Sequence, residues 1–168
     1  MVQIRHLLSF AFWAFACNAA ALTRRAPTPG QLSQVTDFGD NPTNVGFYIY
    51  VPQSLASNPA VVVAIHYCTL PCLSEAPLIS QGTGTAQAYY TGTSWAQYAE
   101  THGFIVIYPE SPYEGGCWDV SSESTLTNGG GGNSNSIANM VNWTLEQYTA
   151  DASRVYMMGS SSGAMMTV

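Results

Sequence analysis

The chain has 168 residues, of which 46% are hydrophobic and only 8% are charged. Four basic residues stand against ten acidic ones, so the formal net charge is −6, and there is no lysine. We therefore expect no binding to nucleic acid or to an anionic membrane. The length is sufficient for one domain with its own hydrophobic core.

The N-terminal segment, residues 1–21, is typical of a secretory signal peptide. Arg5 precedes an apolar stretch from Leu7 to Ala16, and the sequence Ala19-Ala20-Ala21 suits signal peptidase. A membrane-spanning helix would need a longer apolar stretch. The segment therefore predicts a secreted, extracellular protein.

A dibasic pair, Arg24-Arg25, follows the signal and fits a propeptide cleavage site, with a chance pair as the alternative. Residues 22–25 are then a propeptide, and the mature chain is residues 26–168. It would keep one arginine against ten carboxylates, a net charge of about −9. Its surface must be built from Ser, Thr, Asn, Gln and Gly, which suits an exported enzyme in mildly acidic surroundings.

Four apolar runs predict strands, at Gly46–Val51, Ala60–Ile65, Phe104–Tyr108 and Val155–Met158. The second run is largely β-branched, as expected for a parallel strand buried on both faces. Pro109 is expected to end the third strand.

Two helical patterns lie between the predicted strands. The first begins at Ser94 as N-cap and ends near Gly103. The second follows the glycine run, with an apolar face formed by Ile137, Met140, Val141, Leu145 and Tyr148. Strands that alternate with helices predict an α/β layered fold.

The most specific motif is Gly159-Ser160-Ser161-Ser162-Gly163, which follows the last predicted strand. Glycines four apart around small residues are typical of a nucleophile elbow, where a serine lies on a strained turn between strand and helix. Ser161 occupies the centre and is the predicted nucleophile, and the Ser162 N–H would form half of an oxyanion hole. The alternative is a serine-rich surface loop.

The partners of such a serine are missing from the sequence. A serine nucleophile needs a histidine base and a carboxylate that orients the histidine, and in this fold both follow the serine. The residues from Ser162 to Val168 include no Asp, Glu or His. We therefore expect a fragment of a longer reading frame or, alternatively, an inactive remnant that binds what its parent cleaved.

Two histidines remain after signal removal. His66 follows a buried strand and is expected to orient the next loop, with a role as general base as the alternative. His102 lies at a predicted helix C-terminus, where it favours the helix dipole. Neither forms a cluster with Cys, Asp or Glu at ligand spacing, so we expect no metal and no cofactor.

Three cysteines, Cys68, Cys72 and Cys117, lie outside the signal peptide. Export favours a disulfide, and the odd count leaves one thiol over. The segment Asn142-Trp143-Thr144 is an N-glycosylation sequon, and Asn142 lies off the apolar stripe of its helix. Whether the sequon is occupied stays open.

Seven stretches resemble the fungal secreted acetylxylan esterases of carbohydrate esterase family one, which are related to feruloyl esterases and polyhydroxybutyrate depolymerases. They follow the order of that family over nearly the whole mature chain. The stretches are Gln34–Val45, His66–Thr69, Gly84–Tyr90, Gly103–Pro109, Gly116–Val120, Asn135–Val141 and the elbow.

The resemblance implies the N-terminal half of an α/β-hydrolase fold, with a mostly parallel sheet flanked by helices. It implies Ser161 as nucleophile, a second oxyanion donor at Cys68 and Thr69, and a disulfide from Cys68 to Cys117. The implied reaction is deacetylation of xylan by a protein that is monomeric at full length. A feruloyl esterase or an inactive carbohydrate-binding remnant is the alternative.

Aromatic residues next to the Cys117 loop are candidates for sugar binding. Tyr113 and Trp118 lie near Asp119, and their rings would stack on sugar rings. The alternative is that they pack in the core and at its rim.

The chain departs from the resembling family in two places. Fourteen residues, Leu70–Thr83, interrupt the stretch that the family continues directly from Thr69. They are either a real insertion, which would displace the oxyanion donor, or a retained intron in the gene sequence. The other departure is the absence of the half that carries the triad acid and base, so residues 26–168 are expected to be a partial domain.

Overall fold

The computed structural model describes residues 26–69 and 84–168. The signal peptide, the propeptide segment 22–25 and the insertion Leu70–Thr83 lie outside the described residues, so these assignments stay predictions. In the described part of the chain, no helix is long and apolar enough to cross a membrane.

Five strands form one mixed sheet in the order β1-β2-β4-β3-β5. The strands β1 and β2, and likewise β2 and β4, pair antiparallel, whereas β3 pairs in parallel with both β4 and β5. The bounds are β1 Leu32–Val35, β2 Gly46–Tyr50, β3 Val61–Ile65, β4 Ile105–Glu110 and β5 Val155–Gly159. The predicted α/β fold is confirmed, with its parallel part confined to the last three strands.

Within the described residues, five α-helices and one 3₁₀ turn accompany the sheet, and the last helix follows β5. They are α1 Ala86–Gly92, α2 Trp95–His102, the 3₁₀ turn Glu114–Gly116, α3 Glu123–Leu126, α4 Asn133–Tyr148 and α5 Ser162–Met165. Thr85 and Ser122 cap α1 and α3 through side-chain hydrogen bonds. Ser94 holds the predicted N-cap position of α2, but its side chain forms no capping bond.

The strand β4 runs through Pro109, where the sequence predicts an end. Proline has no N–H to donate, so it is tolerated only where one side of a strand is unpaired. The pairing of β3 with β4 covers Ile105–Ile107 and stops before Pro109, whereas β2 continues alongside, with Phe47 opposite Pro109. The N–H group that Pro109 lacks would therefore face β3, which forms no ladder bond at this position.

The centre of the sheet is buried on both faces. Every residue of β3 is buried, as its continuous apolar run predicts. On one face Ile137 and Met140 of α4 join the main core, and on the other Tyr89 of α1 and Ala99 of α2 form a second cluster. Two helical layers around a sheet are what an α/β chain needs in order to bury both faces.

The carboxyl ends of β3, β4 and β5 lie at one edge of the sheet, because these strands are parallel. The chain leaves them at His66, Ser111 and Ser160. In α/β sheets, loops at this edge form the binding site. The candidate site is therefore assembled from three loops that are distant in sequence.

The strand β5 forms an open edge of the described sheet, since its one ladder partner is β3. Tyr156 is 56% exposed and Met157 is 42% exposed. An apolar strand with unpaired N–H and C=O groups favours pairing with other chains.

We predict that residues 26–168, expressed alone, associate through β5. A Met157→Lys variant should shift the protein toward monomer, because a charged edge side chain disfavours strand pairing. Tyr98→Lys is the matched control, since Tyr98 is 53% exposed on α2, away from this edge. Size-exclusion chromatography with light scattering measures the outcome, and a wild-type monomer with one cooperative thermal transition would contradict it.

Candidate active site

Ser161 lies on the turn between β5 and α5, with φ of 51° and ψ of −122°. This backbone conformation is strained for a residue with a side chain and costs about 1–3 kcal/mol. The Ser161 side chain is exposed, whereas Ser162 and Gly163 are buried. A strained, exposed serine at a strand–helix turn is the geometry of a nucleophile elbow.

Two glycines allow this turn to close. A Cβ added to Gly159 would lie within 3.0 Å of the Gly163 backbone, and a Cβ added to Gly163 would lie within 3.0 Å of the Ile65 and His66 carbonyl oxygens. Real Cβ atoms essentially never approach that closely. The glycines therefore let the elbow pack directly on the carboxyl end of β3.

A disulfide holds the loop after β3 beside the elbow. Cys68 is bonded to Cys117, and the Cys68 Sγ lies 3.2 Å from the Ser162 Oγ. The disulfide expected from the family resemblance is confirmed. Cys72, expected to stay a free thiol, lies outside the described residues.

Near Ser161, some backbone N–H groups already donate a hydrogen bond within the protein, and others do not. The Thr69 N–H donates to the Gly115 carbonyl at 2.7 Å, and the Thr69 hydroxyl donates to the same oxygen at 2.9 Å. Within the ranges that the structure describes, the N–H groups of Ser162 and Cys68 donate to no other residue. Of the three candidate oxyanion donors, Ser162 and Cys68 are therefore available and Thr69 is not.

His66 is fully buried and uses both ring nitrogens. The Ser111 N–H donates to Nε2 at 3.1 Å, so Nε2 is the acceptor and the proton resides on Nδ1. That Nδ1–H donates to the Tyr67 carbonyl at 3.0 Å. With no free lone pair, this imidazole cannot take a proton from Ser161, and its arrangement is that of the loop-orienting histidine.

His102 lies at the opposite edge of the sheet. It is the last residue of α2, which leads into the amino end of β4, whereas Ser161 follows the carboxyl end of β5. The described residues therefore supply no histidine base for Ser161. They also contain no group of three or more His, Cys, Asp or Glu able to hold a metal ion.

Two carboxylates near the carboxyl ends of the strands, Asp119 and Glu110, stabilise the starts of helices. Asp119 accepts hydrogen bonds from the Ser122 hydroxyl and the backbone N–H groups of Ser121 and Ser122, which hold its pKa below its usual value. Glu110 accepts from the Ala86 N–H at 2.9 Å, at the start of α1. Both positions are helix N-termini, where negative charge is favoured.

Residues 48–168 match the protein family described as Esterase PHB depolymerase. The chain belongs to this family. The match includes the elbow, the disulfide and both loops that contact them.

Two curated relatives of this chain come from fungi. The chain is 71% identical to acetylxylan esterase A of Emericella nidulans over 99% of its own length and 50% of that protein. It is 60% identical to acetylxylan esterase A of Aspergillus oryzae over 99% of its length and 51% of that protein. The chain thus spans about half the length of the curated relatives it matches.

Solved structures agree with the family assignment. An acetyl xylan esterase from Aspergillus awamori superimposes with a TM-score of 0.73 at 64% identity, covering 82% of this chain and 45% of that one. A poly(3-hydroxybutyrate) depolymerase from Bordetella parapertussis has a TM-score of 0.56 at 18% identity, covering 81% of this chain and 45% of that one. The second likeness shows the shared fold.

The two aromatic residues predicted to stack on sugars, Trp118 and Tyr113, differ in how far they are exposed to solvent. Trp118 is only 5% exposed, packs on the His66 ring at 5.1 Å, and donates its Nε1–H to the His66 carbonyl at 2.8 Å. Core packing therefore replaces sugar stacking as the role of Trp118. Tyr113 is 44% exposed, and its role in sugar stacking stays a prediction.

The sequence analysis missed two residues of the candidate site. Tyr67 is 37% exposed beside Cys68, and its ring packs edge-on against Tyr89. Gly115 accepts both Thr69 bonds and so shapes the oxyanion loop. Tyr67 could have been found as an aromatic next to a predicted donor, whereas nothing local to Gly115 indicates its role.

We predict that Gly163→Ala destabilises the chain by about 1–3 kcal/mol, the usual effect of overpacking. The added methyl group meets the carbonyl oxygens of Ile65 and His66. Gly92→Ala is the control, because nothing lies within 4 Å of its added Cβ. Urea unfolding measures both variants, and equal midpoints would contradict the close packing of the elbow.

The disulfide yields a mapping prediction. Non-reducing peptide mapping of secreted protein should recover Cys68 joined to Cys117, with Cys72 as the free thiol. Cys117→Ser should lower stability by about 2–5 kcal/mol, the typical loss for a native disulfide. Cys72→Ser is the control and should leave stability unchanged, whereas a bridge from Cys72 to either cysteine would contradict the assignment.

A pH prediction follows from His66. Burial lowers the pKa of His66 below 6.5, while the Tyr67 carbonyl and Glu110 act in the opposite direction. The unfolded chain then binds more protons than the folded one, so stability is full above about pH 6.5 and falls as the pH drops below it. His66→Gln should flatten this slope below about pH 6.5, where the unfolded chain would otherwise take up a proton.

The matched variant is His102→Gln, at an exposed position on α2. It should leave the slope as it is in the wild type. Urea titrations at several pH values provide the measurement, and a slope unaffected by His66→Gln would show that other groups cause the pH dependence.

Proposed function

We propose that this chain belongs to a secreted serine esterase that removes acetyl groups from acetylated xylan in plant cell walls. The observation that carries the proposal is Ser161 on a strained turn beside the unengaged N–H groups of Ser162 and Cys68. The acetylxylan esterase names of relatives at 71% and 60% identity support the substrate.

The proposed reaction proceeds through an acyl-enzyme. The Ser161 Oγ attacks the acetyl carbonyl carbon, and the developing oxyanion accepts hydrogen bonds from the Ser162 and Cys68 N–H groups. Collapse of the tetrahedral intermediate breaks the ester bond and releases the xylan hydroxyl. Water then attacks the acetyl-serine and releases acetate, which regenerates the serine.

Proton transfer needs a base from outside the described residues. His66 has both nitrogens engaged, and His102 lies at the far edge of the sheet. Without the base and acid of the triad, an oxyanion hole and substrate binding provide only a small fraction of the rate enhancement. We therefore expect the 168-residue chain, on its own, to show little or no esterase activity.

The substrate would rest on the exposed aromatics at this edge. Tyr67 and Tyr113 are 37% and 44% exposed, and both lie on the loops that the disulfide joins. Aromatic faces of this kind suit the apolar faces of xylose rings. Secretion is supported by the signal-like segment 1–21 and by the disulfide, which persists in oxidising compartments.

The test joins this chain in frame to the remaining half of the Emericella nidulans relative. The chimera should release acetate from acetylated xylan, and Ser161→Ala should lower kcat by several orders of magnitude. The control is Ser160→Ala, which changes a neighbouring exposed serine outside the proposed machinery. Each variant is made with and without Leu70–Thr83, so that the insertion is tested separately.

The outcomes separate the competing interpretations. Activity that survives Ser161→Ala would refute the nucleophile assignment. A folded chimera that binds acetylated xylan without releasing acetate would favour the carbohydrate-binding remnant. Faster release of ferulate than of acetate from matched esters would favour the feruloyl esterase alternative.

A further inference from the structure

We infer that Asn142 carries an N-linked glycan whose first N-acetylglucosamine lies in a groove between α4 and the loop from α3 to α4. The groove has a volume of about 500 Å³ and includes Asn142 in its lining. Its lining also includes Leu126, Thr127, Asn128 and Asn135.

The folded chain has room for a glycan on the Asn142 side chain. It is exposed on α4, and its amide forms no hydrogen bond to any residue that the structure describes. The segment Asn41-Pro42-Thr43 has the same spacing, but a proline in the middle position disqualifies a sequon. The Asn41 amide is also fully engaged, since it donates to the Val45 carbonyl and accepts from the Val45 N–H.

The groove has the chemistry of a sugar site. Its lining contains no charged residue, and the side chains of Thr127, Asn128 and Asn135 are unengaged within the described part of the chain. Amides and hydroxyls both donate and accept, as sugar hydroxyls and an acetamido group require. Leu126, which is 70% exposed, offers an apolar surface for the acetamido methyl group.

A second groove meets Asn142 on its other side and fits a sugar less well. Its volume is about 350 Å³, and its lining includes two carboxylates, Asp40 and Glu146. Carboxylates only accept hydrogen bonds, whereas the amides and hydroxyls of the first groove both donate and accept, as N-acetylglucosamine requires. The uncharged groove toward Leu126 is therefore the one we assign to the glycan.

Attachment must precede formation of α4. In the folded chain the Thr144 hydroxyl is buried and donates to the Met140 carbonyl at 2.8 Å, so it cannot approach the Asn142 amide. In the transfer, Asn142 Nδ2 bonds to the anomeric carbon of an oligosaccharide carried on a lipid diphosphate. The bond from that carbon to the phosphate breaks, the lipid diphosphate leaves, and the amide nitrogen loses one proton.

The first experiment tests the site. The full chain is expressed in yeast behind an added secretion leader, so that the result does not depend on residues 1–21. Peptide mass spectrometry of secreted and cell-retained protein should find N-acetylhexosamine on Asn142 and none on Asn41. Loss of the glycan in Asn142→Gln is expected, and an unmodified Asn142 peptide in wild-type protein would overturn the inference.

The second experiment tests the groove. One sample is trimmed with an endoglycosidase that leaves a single N-acetylglucosamine, and another is stripped by an amidase, which turns Asn142 into aspartate. Hydrogen exchange should be several-fold slower over Thr125–Gly129 in the trimmed sample than in the stripped one. The unglycosylated Asn142→Asp variant is the control for the added charge and should match the stripped sample.

A Leu126→Ser variant tests whether the sugar attached to Asn142 also packs against the groove. It should keep the glycan but lose the slower exchange, because the apolar surface under the sugar is gone. Equal exchange in trimmed and stripped wild-type protein would refute the groove assignment. Slower exchange that persists in Leu126→Ser would show that the sugar does not lie on this surface.

Discussion

The hydrogen bonds around buried His66 hold together the loops that form the site. Its ring accepts from the Ser111 N–H after β4, and its carbonyl accepts from the Trp118 ring. That same carbonyl lies against Gly163, behind the elbow. Because the loop after β4 and the elbow both contact His66, a displacement of this residue would shift that loop relative to Ser161.

The strain at Ser161 persists because its surroundings leave the turn no other arrangement. The backbone penalty of about 1–3 kcal/mol would otherwise be released by rotation of the turn. Gly163 is packed on the end of β3, and Ser162 contacts the disulfide sulfur of Cys68. The exposed serine hydroxyl is thus held by buried neighbours, which is how a rigid scaffold positions a reactive group.

The fold could be predicted best where burial dominates. The strands β3 and β4 follow from their continuous apolar runs, and α4 follows from its apolar stripe. The strand β1 was missed because Leu32–Val35 has two polar residues in the middle, and the helices α1 and α3 were missed because seven and four residues are too short to show a period.

The site could be predicted as far as local spacing allows. The glycine spacing around Ser161 indicates the elbow, because the residues that form this turn lie within five consecutive positions. The engagement of the Thr69 N–H depends on Gly115, which lies 46 positions away, and the buried position of Trp118 depends on His66, which lies 52 positions away. Such pairings arise from tertiary packing and leave no periodic pattern in the sequence.

The Cys68–Cys117 bond makes assembly of the loop after β3 depend on the timing of oxidation. Among the described residues, Gly115 is the hydrogen-bond partner of Thr69, through two bonds to a single carbonyl oxygen. Disulfides form in the secretory pathway and are kept reduced in the cytosol. A chain that is still reduced therefore has only noncovalent contacts to keep Cys68 beside Ser162, and oxidation then fixes this position by a covalent bond to Cys117.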